Sequence, residues 1–214
     1  MMKRVAIIFL LLVLAATARA AETPEDLLKQ AQQLERDGAL QRAVKVYQDF
    51  LKQFPDHTQA TEANYRLGKA FDALGQVEEA VAALKQVTAT GKKFKNRPDA
   101  FYLLGKLYAS DKKYDEAIAA YEKMLGEGAG LYEDEVMNLC GGWYAIQQKY
   151  DDAAAKFNLL RRKGDNALAE QAGYKLALLW LKAGRLDAAV AAVQDLAAQF
   201  PNNKQIPELL LKAA

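Results

Sequence analysis

Apolar positions along this chain are spaced for helices, and the helices themselves recur. Ala43, Ala80, Ala117, Ala153 and Ala189 stand 37, 37, 36 and 36 residues apart. Three residues before each alanine comes Leu40, Val77, Tyr114, Tyr150 or Leu186. Four after it comes Tyr47, Leu84, Tyr121, Phe157 or Val193. Spacings of three and four put side chains on one helix face. With each alanine counted as position 20 of a repeat, a second series lies upstream. Position 8 reads Ala31, Gly68, Gly105, Gly141, Ala177; position 11 reads Leu34, Phe71, Tyr108, Tyr144, Trp180. Each repeat therefore predicts two helices. Small residues at positions 8 and 20 let them approach closely, and the large residue at position 11 fills the space beside them. Self-similarity at such a period marks stacked helix pairs, and stacking buries a core that no single pair could bury alone.

The punctuation agrees. Thr23-Pro24-Glu25-Asp26 offers an N-cap threonine, a proline at the first helical position and an acid near the capping-box position. Pro98, followed by Asp99, is placed similarly. Gly38, Gly75 and Gly184 fall at the turn between the two helices of their repeats, where a left-handed residue ends the first helix. Pro55 and Pro201 close second helices, and Gly91 and Gly164 follow others. The spacing predicts repeats over about 24–57, 61–94, 98–131, 134–166 and 170–203. A short terminal helix over 206–213 would cover the last exposed apolar face. The glycine-rich stretch Gly126-Glu127-Gly128-Ala129-Gly130 reads as a loose turn or a hinge before the fourth repeat.

Residues 1–20 belong to another category. Lys3 and Arg4 precede an apolar stretch from Val5 to Ala16, and Ala18-Arg19-Ala20 supplies a small-x-small exit. That order reads as a secretory signal peptide cleaved after Ala20; the other reading is an uncleaved anchor. The stretch is shorter than the roughly 20 residues that comfortably span a bilayer. Cleavage removes three of the 29 basic residues and no acid, leaving 26 against 27, a net charge of −1. A nucleic-acid partner, which needs a basic face, is not expected, and neither is membrane insertion after cleavage. Residue 21 is alanine, not cysteine, so no lipoprotein acylation point follows the signal. Cys140 is the single cysteine, so no intrachain disulfide forms.

Candidate chemistry is sparse. His57 is the single histidine and lies in a connection, which favours a solvated residue. Without a second histidine or a cysteine pair, the usual zinc sets are excluded. Cys140 stands at position 7, a core position, and reads as a buried apolar residue rather than a reactive thiol. No phosphate-cradling glycine loop or nucleophile elbow is present. Glu133-Asp134-Glu135 suits a helix start and Arg161-Arg162-Lys163 a helix end. Lys92-Lys93-Phe94-Lys95-Asn96-Arg97 reads as a solvated basic connection. An enzyme, a metal and a cofactor are all unexpected.

Tyr65-Arg66-Leu67-Gly68-Lys69-Ala70-Phe71 and Tyr102-Leu103-Leu104-Gly105-Lys106-Leu107-Tyr108 carry a resemblance. The chain resembles a tetratricopeptide-repeat protein over roughly residues 24–203, departing in the first repeat where Gln30 replaces leucine. The resemblance implies an all-α, right-handed superhelical solenoid of antiparallel helix pairs, five repeats and a cap. It also implies that the first helices line a concave groove, with positions 2, 5, 9 and 12 pointing into it. Tyr65, Tyr102, Asn138 and Tyr174 stand at position 5, and Lys69, Lys106 and Gly142 at position 9. They are the candidate peptide-binding groove, set against the simpler reading that the tyrosines pack on neighbouring helices. The family's clamp for carboxylate-ended chaperone tails does not fit Leu28 and Gln32, or Tyr65 and Lys69.

A signal peptide with repeats longer than 34 residues is also similar to two groups of the bacterial envelope. One is the repeat domain of the periplasmic Tol–Pal-associated cell-division coordinator. The other is the repeat lipoprotein of outer-membrane protein assembly, which the missing acylated cysteine disfavours. The expectation is a non-catalytic periplasmic adaptor that holds a peptide segment of an envelope protein. The alternative is a structural accessory subunit of an envelope assembly or secretion complex, using a different surface.

Overall fold

The structure is a computed structural model describing residues 22–89, 91, 93–128, 132–164 and 166–213. The predicted signal peptide lies outside the described residues, as do Lys92 of the basic connection and Ala129 and Gly130 of the glycine-rich one. Among the described residues there are eleven helices and no strand. The first helices of the repeats are α1 (Pro24–Arg36), α3 (Ala60–Ala73), α5 (Arg97–Ser110), α7 (Glu133–Ile146) and α9 (Ala167–Lys182). The second helices are α2 (Leu40–Gln53), α4 (Val77–Ala89), α6 (Tyr114–Gly126), α8 (Tyr150–Arg161) and α10 (Leu186–Gln199), and α11 (Ile206–Ala213) follows. The chain divides into two compact units, one through Phe94 and one from Lys95. The first holds two helix pairs; the second holds three pairs and α11.

Helix starts follow local chemistry. Thr23 Oγ1 accepts the Asp26 N–H at 3.2 Å while its hydroxyl donates to the Asp26 carboxylate at 2.7 Å. Asn166 Oδ1 accepts the N–H groups of Leu168 and Ala169 at 3.1 and 2.9 Å. That cap lets α9 begin at Ala167, three residues ahead of the repeat's first position at Glu170. The runs Glu133-Asp134 and Lys163 meet directly: Lys163 Nζ lies 3.0 Å from Glu133 and 2.6 Å from Asp134.

All five turns within a repeat are drawn with the same two backbone bonds. The N–H of position 16 returns to the carbonyl of position 11: Ala39 to Leu34, Gln76 to Phe71, Lys113 to Tyr108, Lys149 to Tyr144 and Arg185 to Trp180, each at 2.9 Å. The N–H of position 15 returns to position 12, from Gly38 to Glu35 through Gly184 to Leu181. This is the paired C-terminal motif that requires a left-handed residue. Position 15 is glycine in three repeats, but it is Lys112 (φ 58°) and Gln148 (φ 60°) in the other two. A non-glycine residue there carries a steric penalty of about 1–2 kcal/mol. Lys112→Gly and Gln148→Gly are expected to raise unfolding free energy by about 0.5–1 kcal/mol each, because glycine's freedom in the unfolded chain offsets part of the gain. Denaturant titration checks this; unchanged midpoints would mean that no strain is present to relieve.

The core forms where the small residue of position 8 faces position 24 of its own repeat. A Cβ added at Gly68 would come within 2.7 Å of Leu84, and one at Gly141 within 2.7 Å of Phe157. At Gly105 it would run into the Tyr121 ring. In repeats 2, 3 and 4 glycine makes the notch and the second helix fills it. In the second unit Phe157, Leu160, Leu176, Val193 and Leu196 join one buried cluster. Leu209 of α11 is buried in the same cluster, so the short terminal helix covers α9 and α10. Leu210 and Leu211 of that helix remain exposed.

The connections closing repeats 1 and 5 are copies of each other. Phe54 and Phe200 cap their helices and are followed by Pro55 and Pro201. Asn203 Oδ1 accepts the Gln205 N–H at 2.8 Å, and His57 Nδ1 accepts the Gln59 N–H at 3.3 Å. His57 also meets the Phe50 ring edge-on, 5.5 Å between centroids, and its Nε2 lies 3.5 Å from Glu25. His57 is therefore a half-buried turn residue rather than the solvated one expected from its place in a connection.

Candidate functional site

The first unit contains two of the seven groove candidates, both on α3. Tyr65 is 7% exposed. Its ring meets Phe94 edge-on with centroids 5.7 Å apart, and Lys69 Nζ lies 5.4 Å from the ring centre. Phe94 comes from the connection read as basic and solvated; packing on Tyr65 leaves it half-buried. The structure thus places Tyr65 within the packing of its unit, while Lys69 is exposed. Arg97, from the same basic stretch, opens α5, pairs with Glu127 and covers the Phe101 ring.

The second unit contains the other five, on three successive first helices. Tyr102 and Lys106 are on α5, Asn138 and Gly142 on α7, and Tyr174 on α9. Two cross-helix bonds connect these three helices. The Tyr102 hydroxyl donates to the Glu135 carboxylate at 3.3 Å. Lys175 Nζ donates to Asn138 Oδ1 at 2.7 Å, one residue from Tyr174. So α5 is tied to α7, and α7 to α9, each through one residue at position 5, Tyr102 or Asn138. Tyr102 also stacks on Tyr132, rings 8° from parallel and centroids 4.0 Å apart. Burial first, and then the Glu135 carboxylate, hold its hydroxyl above the usual tyrosine range. Tyr132 and Glu135 are exposed; Tyr102, Asn138 and Tyr174 are half-buried. A Cβ at Gly142 would meet nothing within 4 Å, so the surface beside Asn138 is open.

Tyr132, Glu135 and Lys175 complete this surface and were not among the sequence candidates. Lys175 and Glu135 stand at positions 6 and 2, and only the helix-to-helix stagger shows that they reach position 5 of the preceding repeat. The arrangement offers aromatic faces, one carboxylate, one amide and the ammonium groups of Lys106 and Lys175. Cys140 has no part in it. It is buried, and burial pushes its thiol up to about 12, far from a nucleophile's range.

The class of protein follows from this fold and is borne out by sequence. Tetratricopeptide-repeat profiles match residues 65–131 and 145–204, and a further one matches 27–57. The chain belongs to the tetratricopeptide-repeat family. Proteins of this family are in general non-catalytic modules for protein–protein interaction, and the fold here is that of an interaction scaffold. No curated protein sequence matches the chain significantly. Among solved structures, it is similar to YrrB, described as a TPR protein with an unusual peptide-binding site. The identity is 16%, over 92% of this chain and 96% of that one, with a TM-score of 0.61. It is similar also to a TPR repeats protein from Bacteroides fragilis NCTC 9343, at 14% identity over 90% and 98%, with a TM-score of 0.63. MamA from Desulfovibrio magneticus RS-1 shares 28% identity over 64% of this chain and 73% of that one, with a TM-score of 0.51. Among the described residues no helix is long and apolar enough to cross a membrane.

Proposed function

We propose that this protein is an exported periplasmic adaptor that holds a peptide segment of an envelope partner on the first-helix face of its second unit. The observation carrying this reading is the open surface at Gly142, bordered by groups that cross-helix bonds hold in place. The Tyr102–Glu135 and Lys175–Asn138 bonds fix side chains of three repeats before any ligand arrives. Preorganised groups of this kind lower the ordering cost of binding. A peptide backbone can lie close to α7 at Gly142, and the tyrosines supply contact area with little loss of side-chain entropy. Export rests on residues 1–20 and on the small residues Ala18 and Ala20.

The test begins with N-terminal sequencing of the protein from an envelope fraction; a start at Ala21 supports export, and a start at Met1 in the membrane opposes it. Affinity purification then compares the natural chain with a Tyr102→Ala/Tyr174→Ala variant, and binding of the partner's own segment is titrated. Loss of interface aromatics is expected to weaken it by about tenfold or more, with the helical circular dichroism spectrum retained. An unchanged affinity would move the interface to another surface and favour the accessory-subunit reading.

A further inference from the structure

A cleft of about 310 Å³ opens between α2 and α4, with α3 as its floor. Leu67, Phe71 and Ala83 form its apolar part, and Gln48, Glu79 and Gln86 supply polar groups. It lies on the opposite side of α3 from Tyr65 and Lys69: Leu67 and Phe71 share one face of the helix, and the position 5 and 9 side chains share another.

The equivalent place between repeats 3 and 4 is filled from within the chain. There Glu122, Cys140, Tyr144 and Lys156 stand where the first unit has Gln48, Leu67, Phe71 and Ala83. Lys156 Nζ donates to Glu122 Oε2 at 2.7 Å, and the Tyr144 hydroxyl donates to Oε1 at 3.2 Å. The Lys156 side chain is only 16% exposed. Between repeats 4 and 5, Arg161 takes the corresponding part. Its guanidinium donates to Asp195 at 2.8 Å and to Asn158 at 3.4 Å. In each of these two places a basic side chain sets its head on oxygen acceptors of the chain itself. That is how long basic side chains are best accommodated.

At the junction of repeats 1 and 2 the cleft's lining holds no cation: Arg66 pairs with Glu35 and Glu62 outside it, and Gln48 and Gln86 offer side-chain carbonyls where the later junctions have Glu122 and Asp195. Ala83 replaces Lys156, and Leu51 replaces Arg161. Glu79 has no ion-pair partner among the described residues. We propose that this cleft receives a lysine or arginine side chain from a partner protein, in the place that Lys156 and Arg161 take at the later junctions. The stem lies along Leu67 and Ala83, and the charged head meets Glu79 and the side-chain carbonyls of Gln48 and Gln86. The Phe71 ring adds a cation–π face. This site does not depend on the groove of the second unit.

The probe is an acetylated Ala-Arg-Ala amide, titrated into the isotope-labelled mature chain and followed by amide chemical shifts. Its counterpart carries citrulline, which keeps the shape of arginine without the charge. Saturable shifts are expected at Phe71, Ala83 and Gln86, with the citrulline peptide binding at least about fivefold more weakly. Ala83→Lys should supply an internal cation and abolish the shifts while the helical spectrum is kept. Glu79→Gln should weaken binding by about threefold or more. The Tyr102→Ala/Tyr174→Ala variant should bind the probe normally, so that failure of the groove and failure of the cleft are told apart. Equal binding of the citrulline peptide, absence of saturable shifts, or undiminished binding by a folded Ala83→Lys variant would each overturn the proposal.

Discussion

Replacing Tyr121 with alanine should cost the fold about 3–5 kcal/mol, the range for deleting a large buried aromatic side chain. Tyr121 is 2% exposed and occupies the notch left by Gly105. Its ring also stacks on Trp143, 7° from parallel with centroids 5.9 Å apart, and packs against Tyr102 at 6.0 Å. One residue thus joins both helices of its repeat to the next repeat. The converse substitution, Gly105→Leu, fills the notch and should cost about 1–3 kcal/mol or more through overpacking. The two losses should not add, because the void left by Tyr121→Ala accepts part of the leucine. Residues in direct contact couple by about 0.5–3 kcal/mol in such a cycle. Equilibrium unfolding of the two single variants and the double variant measures the coupling. Strict additivity would show that Gly105 and Tyr121 do not share one space.

Gly141→Ala and Gly142→Ala, neighbours on α7, should move stability in opposite directions. A Cβ at Gly141 would lie 2.7 Å from Cε1 and 3.0 Å from Cζ of the Phe157 ring. The ring is itself buried and has little room to retreat. Overpacking there is expected to cost about 1–3 kcal/mol. Gly142, a helical step further round, has open space around its own Cβ position. Alanine in an exposed helix interior is favoured over glycine by about 0.8–1.0 kcal/mol. Thermal or denaturant midpoints on either side of the natural chain would bear this out; a shared direction would refute the orientation of α7. Gly142→Ala also narrows the surface proposed for the peptide backbone, so the same variant should gain stability and lose affinity.

Much of this architecture was legible because the repeats average out local accidents. The small residue at position 8 could be read from five copies, but its partner at position 24 lies on another helix, and spacing alone does not pair them. Lys112 and Gln148 hid their turns: the sequence there lacks glycine, while the backbone bonds to Tyr108 and Tyr144 are the same as elsewhere. His57 looked like an isolated loop residue. Its likeness to Asn203 is clear only when each is seen accepting the N–H two residues on. The groove was read least well. Positions 5 and 9 share a helix face, but Phe94 approaches from a connection and closes over Tyr65. Lys175 and Glu135 reach Asn138 and Tyr102 from adjacent helices, across sequence distances of 37 and 33 residues. Glu133 and Asp134 do open α7 and Arg161 does end α8, as their charges suggest, but that Lys163 reaches back to both acids was not visible in the runs themselves. Periodicity describes one helix at a time, and these contacts belong to pairs.

Cys140 gives the second unit a built-in clock. The chain has a single thiol, wholly enclosed beside the Glu122–Lys156 pair, so a soluble disulfide reagent can react with it only after repeat 4 has opened. At high reagent concentration the labelling rate becomes the opening rate itself; at low concentration it reports the population of the open form. A ligand that secures α7 against α9 would slow the clock, whereas one bound only in the first unit would leave it running unless the two units open together. A chain that carries no chemistry at its only cysteine can thereby report, through that cysteine, which of its two units a partner has engaged.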